Sequence, residues 1–466
     1  MRSDAYNENI LEIKGVSYIM AFKKGSNGMS STRNQLLRKK IETKEAIVGV
    51  VGLGYVGLPL AVEVAKAGYT VIGFDILQRR ADQVNSGDNY IADIIDQDLK
   101  DMVVSKKLVA TTDYSRIREC DFICIAVPTP LDKYHQPDIS YVVNSSESVA
   151  KYLKKDTVVV LESTTYPGTT EEVVMPILEK TGMKVGKEIY LAFSPERVDP
   201  GNKVYKTHNT PKVVGGVTKE CTELSVMFYK KVIQAEIFEV SSPKVAELEK
   251  ILENSFRNIN IGFINEMAIM CHRMGIDIWE VIDAAKTKPY GFMPFYPGPG
   301  IGGHCIPLDP FYLTWKAREY DYHTRLIELS GEINIYMPEY TVERVMKMLN
   351  SKKKALNGAK VFIVGVAYKK DIDDLRESPA LKVIEHLLKN GADISYNDPF
   401  IPQFEHEGHS FVSQDLTEKN LKKYDIAILI TDHTCYDLSF VAKHVDMLFD
   451  TRNATKGIVA SSVERL

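Results

Sequence analysis

An apolar run that ends in G-x-G-x-x-G constrains this chain more than any other feature. Ala46–Asp75 reads AIVGVVGLGYVGLPLAVEVAKAGYTVIGFD. The opening run is continuous rather than alternating, as in a strand covered on both faces. Gly52, Gly54 and Gly57 fall where that strand ends and a helix begins. The first glycine allows the tight turn, the second lets the backbone approach a pyrophosphate, and the third lets helix and strand pack closely. Phosphates then lie on the helix N-terminus. Asp75 closes the second strand, where a carboxylate accepts from ribose hydroxyls. The pattern predicts a dinucleotide-binding βαβ unit, with Tyr55 and Val56 of the turn beside the cofactor. Asp75 would repel a 2′-phosphate and so favours NAD over NADP. Arg79 and Arg80 work against that preference, and Arg80 is counted among the expected cofactor contacts.

Three further apolar runs end in polar, Pro or Gly residues: DFICIAVPTP (Asp121–Pro130), DTVVVLESTTYPGTT (Asp156–Thr170) and EIYLAFSPERVDPGN (Glu188–Asn202). In open α/β sheets ligands bind at the carboxyl ends of strands. Thr129, Thr164 and Glu196 are therefore expected in one crevice. A long helix follows, with Ser242 as N-cap, Pro243 in its first turn and an end near Gly275. Leu248, Leu252, Ile259 and Phe263 give it an apolar stripe. Lys250, Asn254 and Asn258 give it a polar one at i, i+4 spacing. An apolar stripe on a helix between domains calls for an isologous dimer.

The last third repeats the strand–turn–helix–strand pattern over Gly358–Phe400, with Asp398 ending its second strand. Gly365 and Ala367 hold the first two fingerprint positions but Lys370 holds the third, which points to a different anionic ligand. Lys369, Lys370, Arg376 and Arg452 lie at strand ends or in the loops after them, available to a pyrophosphate. The expected fold is α/β: two doubly wound, Rossmann-like parallel-sheet domains joined by a central helical domain. The boundaries read as 1–45 for a poorly ordered extension, 46–240 for the NAD domain, 241–340 for the helical domain with the dimer interface, and 341–466 for a second doubly wound domain that suits a nucleotide sugar.

A net charge of −4 gives no reason to expect nucleic-acid binding. No apolar run approaches the ~20 residues of a membrane span, and the short run Val16–Phe22 lacks the flanks of a signal peptide. The six cysteines show no CxxC and no dense framework. Reduced thiols in the cytoplasm, with no metal site, are expected.

GLGYVGLPLA, VPTP, ESTTYPGTT, SPERVDPGN, KILENSFRNINIGFINE, GPGIGGHCIPLDP and GVAYKKDIDDLRES follow one another in order. Together they resemble the nucleotide-sugar dehydrogenase family that includes UDP-glucose and GDP-mannose 6-dehydrogenases, over about residues 46–460. The stretch FYPGPGIGGHCIPLDPFYLTWKAREY is most similar to the branch acting on UDP-N-acetylglucosamine. The resemblance implies oxidation of a sugar 6-hydroxymethyl group to a carboxylate with two NAD. It makes Cys305 the nucleophile, with Lys250 and Asn254 stabilising oxyanions and positioning water. Asp309 matches the catalytic aspartate, Glu196 the glutamate of the acid–base steps, and Thr164 a threonine that orders water. Lys369 and Arg452 match substrate contacts and Arg376 a residue near the cofactor. Arg197, Tyr296, Gly298, Gly302 and His304 complete the expected substrate site. Two departures stand out: Pro200, preceded by Asp199, replaces a second glutamate, and KTKPYGFMPF lacks a clear match for a partner-subunit arginine.

The residue types suit this chemistry. A thiolate is both a good nucleophile and a good leaving group, so one cysteine serves aldehyde capture and thioester hydrolysis. Gly302, Gly303 and Pro307 argue for a shaped loop rather than a buried structural thiol. Asp309 before Pro310 also reads as a helix N-cap, compatible with catalysis. UDP-N-acetylmannosamine, UDP-N-acetylgalactosamine and UDP-glucose remain alternative substrates. A two-electron 6-phosphogluconate or 3-hydroxy-acid dehydrogenase shares the first domain and long helix, but needs neither the cysteine nor the second doubly wound domain.

Overall fold

Strands with apolar residues at every position must be covered on both faces, and the chain supplies a helix between most successive strands to do so. The computed structural model describes residues 34–466 except 92, 133–135, 200 and 304. The first sheet contains β1 (Ile47–Val51), β2 (Thr70–Phe74), β3 (Leu108–Thr111), β4 (Phe122–Ile125), β5 (Thr157–Leu161), β6 (Ile189–Phe193), β7 (Lys212–Gly216) and β8 (Ile237–Val240). Their order is β3-β2-β1-β4-β5-β6-β7-β8. Val48 and Val50 pack into one core, and Val51, Ile72 and Ile125 into the other. The strand order reverses at β1, and that switch point places the ends of β1 and β4 at a crevice. The sheet is parallel except where β6 meets β7, an antiparallel step not read from the sequence.

The second sheet contains β9 (Lys360–Val364), β10 (Asp393–Asn397), β13 (Ile426–Leu429), β14 (Leu448–Asp450) and β15 (Val463–Arg465), in the order β10-β9-β13-β14-β15. The hairpin β11 (Gln403–His406) and β12 (His409–Val412) lies between β10 and β13 in the chain. All pairings of the five-stranded sheet are parallel. The two doubly wound units joined by a helical segment are as expected.

The central helix runs Pro243–Met274, 32 residues. The Ser242 side chain accepts from Val245 N–H, and Gly275 ends it at φ 71° in the left-handed region, as the sequence predicts. Its two stripes are used in reverse of a surface helix. Lys250, Asn254 and Asn258 are buried, while Leu248, Leu252, Phe256 and Phe263 are exposed. It packs along the helix Arg325–Ser351. There Gly262 allows close approach, because a Cβ on it would stand 2.8 Å from Ser330 Cβ.

One expectation needs correction. The extension placed at residues 1–45 ends in a helix, Gln35–Thr43, with Leu37 and Ile41 buried. Their i, i+4 spacing makes one apolar face, and Tyr69 Oη donates to the Ile41 carbonyl at 2.7 Å. Residues 1–33 of that extension lie outside the described residues. No described helix is long and apolar enough to cross a membrane.

Candidate active site

The glycine turn after β1 has the form a dinucleotide requires. A Cβ on Gly57 would lie 1.8 Å from the Gly52 carbonyl oxygen, and one on Gly52 2.4 Å from that of Ala126. Gly54 faces open space, which leaves room for a pyrophosphate. Asp75 is buried. Its carboxylate accepts from Leu53 N at 3.0 Å and Leu77 N at 3.0 Å, and pairs with Arg80 at 3.3 Å. That fixes the acid at the end of β2, and Arg80 is drawn to it. The residues therefore fit NAD: a cradle that only glycine permits, with an oriented carboxylate beside it. Tyr55 is exposed, Thr129 is buried, and Thr164 is half-buried with no hydrogen-bond partner among the described residues.

The corresponding acid of the second domain is spent differently. Asp398 Oδ2 accepts from Val366 N at 2.8 Å, from Ala367 N at 2.9 Å and from the His433 ring at 3.0 Å. Its other oxygen accepts from Phe400 N and Ile401 N. With its acceptor positions filled by its own loops, Asp398 is not left for a ribose, in accord with Lys370 breaking the fingerprint. Lys370 pairs with Asp432 at 3.3 Å.

The cysteine loop is pinned between the domains. Gly303 N donates to the Arg376 carbonyl at 3.2 Å, and Asn258 Nδ2 to the Ile306 carbonyl at 3.1 Å. Gly303 sits at φ 82°, and a Cβ there would meet the Tyr368 ring at 2.8 Å. Asp309 N donates to the Cys305 carbonyl at 2.9 Å, which starts the helix Asp309–Ala317. Cys120, Cys124, Cys221 and Cys271 are buried; like Cys435, Cys305 is exposed. Protein atoms still crowd its sulfur. That desolvation, joined by the Asp309 charge, pushes the thiol up to about 11, against the opposing pull of Lys250, Arg376 and Arg257.

Asp309 departs from the N-cap expectation, since no side-chain capping bond is made at this helix start. Its carboxylate turns inward and accepts from Asn254 Nδ2 at 2.6 Å. Burial lifts it to about 7, although Lys250 and the Asn254 bond both favour the charged form. Lys250 is buried and its ammonium has no hydrogen-bond partner among the described residues. A thiol, an acid poised near neutrality, an amide and an unengaged cation thus converge. Together they can move a proton off sulfur and hold an oxyanion.

Several expected residues are otherwise engaged. Glu196 Oε1 accepts from Arg197 N and Val198 N, each at 2.9 Å, and Oε2 lies 3.8 Å from Lys212 Nζ. The Arg197 guanidinium binds Glu253 and the Pro211 carbonyl, so it is turned to the central helix. Lys369 pairs with Asp199 at 2.7 Å. Arg376 grips Asp374 at 2.6 Å and stacks over the Tyr55 ring at 4.2 Å, joining the second domain to the glycine turn. His304 and Pro200 lie outside the described residues.

Arg452 borders a cavity of about 370 Å³ lined by Trp279, Tyr296, Lys286, Asn453 and Lys456 among others. The Trp279 and Tyr296 rings lie nearly parallel, 6.3 Å apart at 16°. Gly298 N donates to Asn265 Oδ1 at 3.0 Å, and a Cβ on Gly298 would meet Arg452 at 2.6 Å. Flat rings beside Arg452 suit a nucleotide, while Lys286 and Lys456 both pair with Asp283 at the same cavity. The sequence reading missed Trp279, Lys286 and Lys456. The aromatic-plus-basic composition of the 279–296 segment hints at Trp279 and Lys286, whereas no local signal marks Lys456.

Comparison with known proteins agrees with this architecture. Models of the UDP-glucose/GDP-mannose dehydrogenase family match in all three parts: the NAD binding domain over 46–233, the central domain over 244–336 and the UDP binding domain over 362–457. A UDP-N-acetyl-D-glucosamine 6-dehydrogenase of Pseudomonas aeruginosa is 38% identical over 392 residues, 84% of this chain and 91% of the relative. A UDP-N-acetyl-D-mannosamine dehydrogenase of Pyrococcus horikoshii is 33% identical over 387 residues, 83% of this chain and 89% of the relative. The solved UDP-D-ManNAc dehydrogenase of that organism superposes with a TM-score of 0.81 at 31% identity, covering 90% of this chain and 98% of the other. With its glycine cradle, its second nucleotide-binding unit and the cysteine loop between them, the chain belongs to the UDP-glucose/GDP-mannose dehydrogenase family, and NAD is its cofactor.

Proposed function

We propose that the chain oxidises the C6 alcohol of a UDP-N-acetylhexosamine to the uronic acid in a four-electron reaction, with UDP-N-acetylglucosamine the favoured substrate. The convergence of Lys250, Asn254, Cys305 and Asp309 between two nucleotide-binding units carries this reading, because a two-electron dehydrogenase has no use for the thiol. Gly52, Gly54, Gly57 and Asp75 would hold NAD, which when bound would supply the hydride acceptor for one oxidation, a second NAD replacing the NADH for the other. The cavity at Trp279, Tyr296 and Arg452 takes the uridine diphosphate.

In the first half Lys250 stabilises negative charge on the C6 oxygen, an effect often worth ~3 kcal/mol. Glu196 receives the hydroxyl proton through a water that Thr164 orders. In the second half Asp309 takes the proton of the Cys305 thiol as sulfur bonds to the aldehyde carbon, and the carbonyl π pair moves onto the oxygen, where Lys250 holds the charge. Once that carbon is oxidised to the thioester, Asn254 and Glu196 orient the attacking water. The C–S bond breaks, the carboxylate leaves, and the sulfur regains its proton.

A screen of kcat/KM over UDP-N-acetylglucosamine, UDP-N-acetylmannosamine, UDP-N-acetylgalactosamine and UDP-glucose tests the sugar. The highest value is expected for the first, and a higher one for UDP-N-acetylmannosamine would overturn that choice. Asp75 gives a second expectation. Its carboxylate would face a 2′-phosphate, so kcat/KM with NAD should exceed that with NADP by at least tenfold (~1.4 kcal/mol). Equal values would contradict the assignment.

The apolar stripe of the central helix supports an isologous homodimer. Leu252 is 64% exposed and Phe263 55%, and they lie on the face opposite Lys250 and Asn254. Sedimentation at micromolar concentration should find a dimer or a larger even assembly, and Leu252→Asp should weaken it. A wild-type monomer would rule the interface out.

A further inference from the structure

The turn that carries Glu196 is tied to the central helix by a cluster that the mechanism above leaves unused. Arg197 follows Glu196 and directs its guanidinium at the central helix. Nη2 binds Glu253 Oε1, Nε reaches Glu253 Oε2 at 3.5 Å, Nη1 donates to the Pro211 carbonyl at 3.1 Å, and Glu249 Oε1 stands 3.5 Å from Nη2. The backbone N–H of the same Arg197 donates to Glu196 Oε1 at 2.9 Å. One residue therefore grips the helix with its side chain and orients the Glu196 carboxylate with its main chain. Glu249 and Glu253 directly precede Lys250 and Asn254 in the chain. The helix that presents the cation and the amide thus also fixes the glutamate.

We infer that Glu253, acting through Arg197, is a positioning residue that holds Glu196 in register with Lys250 and Asn254. The two carboxylates share one guanidinium, and they do so unequally. Glu249 Oε2 is buried without a hydrogen-bond partner among the described residues, and burial beside Glu253 lifts that carboxyl to about 7. Arg197 holds Glu253 below the usual carboxylate range. Glu253 is thus the anion that holds the arginine. A planar guanidinium fork fixes direction in a way that an ammonium does not. Arg197 is in consequence a strut, not a ligand of the sugar nucleotide.

The inference rests on the acid–base role of Glu196 proposed above, and a double-mutant cycle separates the two. The four enzymes are wild type, Glu253→Gln, Glu196→Gln and the double variant, each measured for kcat of acid formation and KM for the UDP-sugar. Misplacement of a catalytic group by about 1 Å can cost ~10²-fold. Glu253→Gln should lower kcat at least ~10-fold, with KM for the UDP-sugar within about twofold of wild type. In the Glu196→Gln background the same change should cost nothing further, because coupled residues are not additive. Arg197→Lys keeps the charge but loses the fork, and should reproduce the loss in kcat alone. Fully additive losses would overturn the inference. So would a tenfold rise in KM with kcat unchanged, which would make Arg197 a ligand. A fully active Glu196→Gln enzyme would instead remove the acid–base role itself, and with it anything to position.

Discussion

Cys305→Ser is expected to lower net acid production at least ~10³-fold, as when other covalent nucleophiles are removed. Serine is a poorer nucleophile at neutral pH, and its ester a poorer acyl donor to water. The loss should be asymmetric. The first oxidation does not require sulfur, so a small burst of NADH should survive, or an adduct should accumulate on the new hydroxyl. Binding of NAD and UDP-sugar should stay near wild type, because the change is nearly isosteric. The geometry gives the result a further edge. Cys305 is exposed yet its thiol is pushed up to about 11 by desolvation and Asp309. On the proposed mechanism the resting thiol would then be deprotonated as the aldehyde arrives, in place of a standing thiolate. Steady-state activity close to wild type in the serine variant would make Cys305 a structural residue.

Asp309→Asn is expected to cost ~10²–10⁴-fold in kcat, the usual range for loss of a positioned proton acceptor. The variant keeps the shape but cannot take a proton. Its effect on pH dependence has a definite sign. Asp309 is lifted to about 7, so it is an acid below that pH and a base above it. The kcat/KM of the wild type should rise with pH through about 7. Glu249 is lifted into the same range. The two are told apart by variants: the limb should persist in Glu249→Gln and vanish in Asp309→Asn. Alkylation supplies an opposed readout. The Asp309 charge raises the thiol, so removing it should make Cys305 more acidic and faster to alkylate at pH 8, even as turnover collapses. Slower alkylation together with lost turnover would point to a disturbed loop instead.

Much of this site is legible in the sequence because its elements are bounded by local chemistry. Ser242, Pro243 and Gly275 mark the central helix, and Gly52, Gly54 and Gly57 mark the first turn, since each residue answers a backbone need within a few positions of itself. The polar stripe Lys250–Asn254–Asn258 is readable as a stripe, but its burial is not. Periodicity reports two faces and leaves open which one meets the protein. Here the apolar face is the exposed one, and the proposed dimer rests on that exposure. Asp309 shows the limit from the other side. Before Pro310 it has every local mark of a cap, and it is drawn off that role by Asn254, a residue far away in sequence. The Arg197–Glu253 strut was hidden for the same reason, as was the pairing of Lys369 with Asp199. The antiparallel step between β6 and β7 depends on where the chain crosses back, which strand composition does not encode.

The central claim is that one sugar gives up four electrons, the last two while held on Cys305. Counting NADH formed per UDP-N-acetylglucosamine consumed tests it most directly, with the product identified by mass. Two NADH and a uronic acid are predicted. One NADH per sugar, with an aldehyde or ketone as the released product, would contradict it.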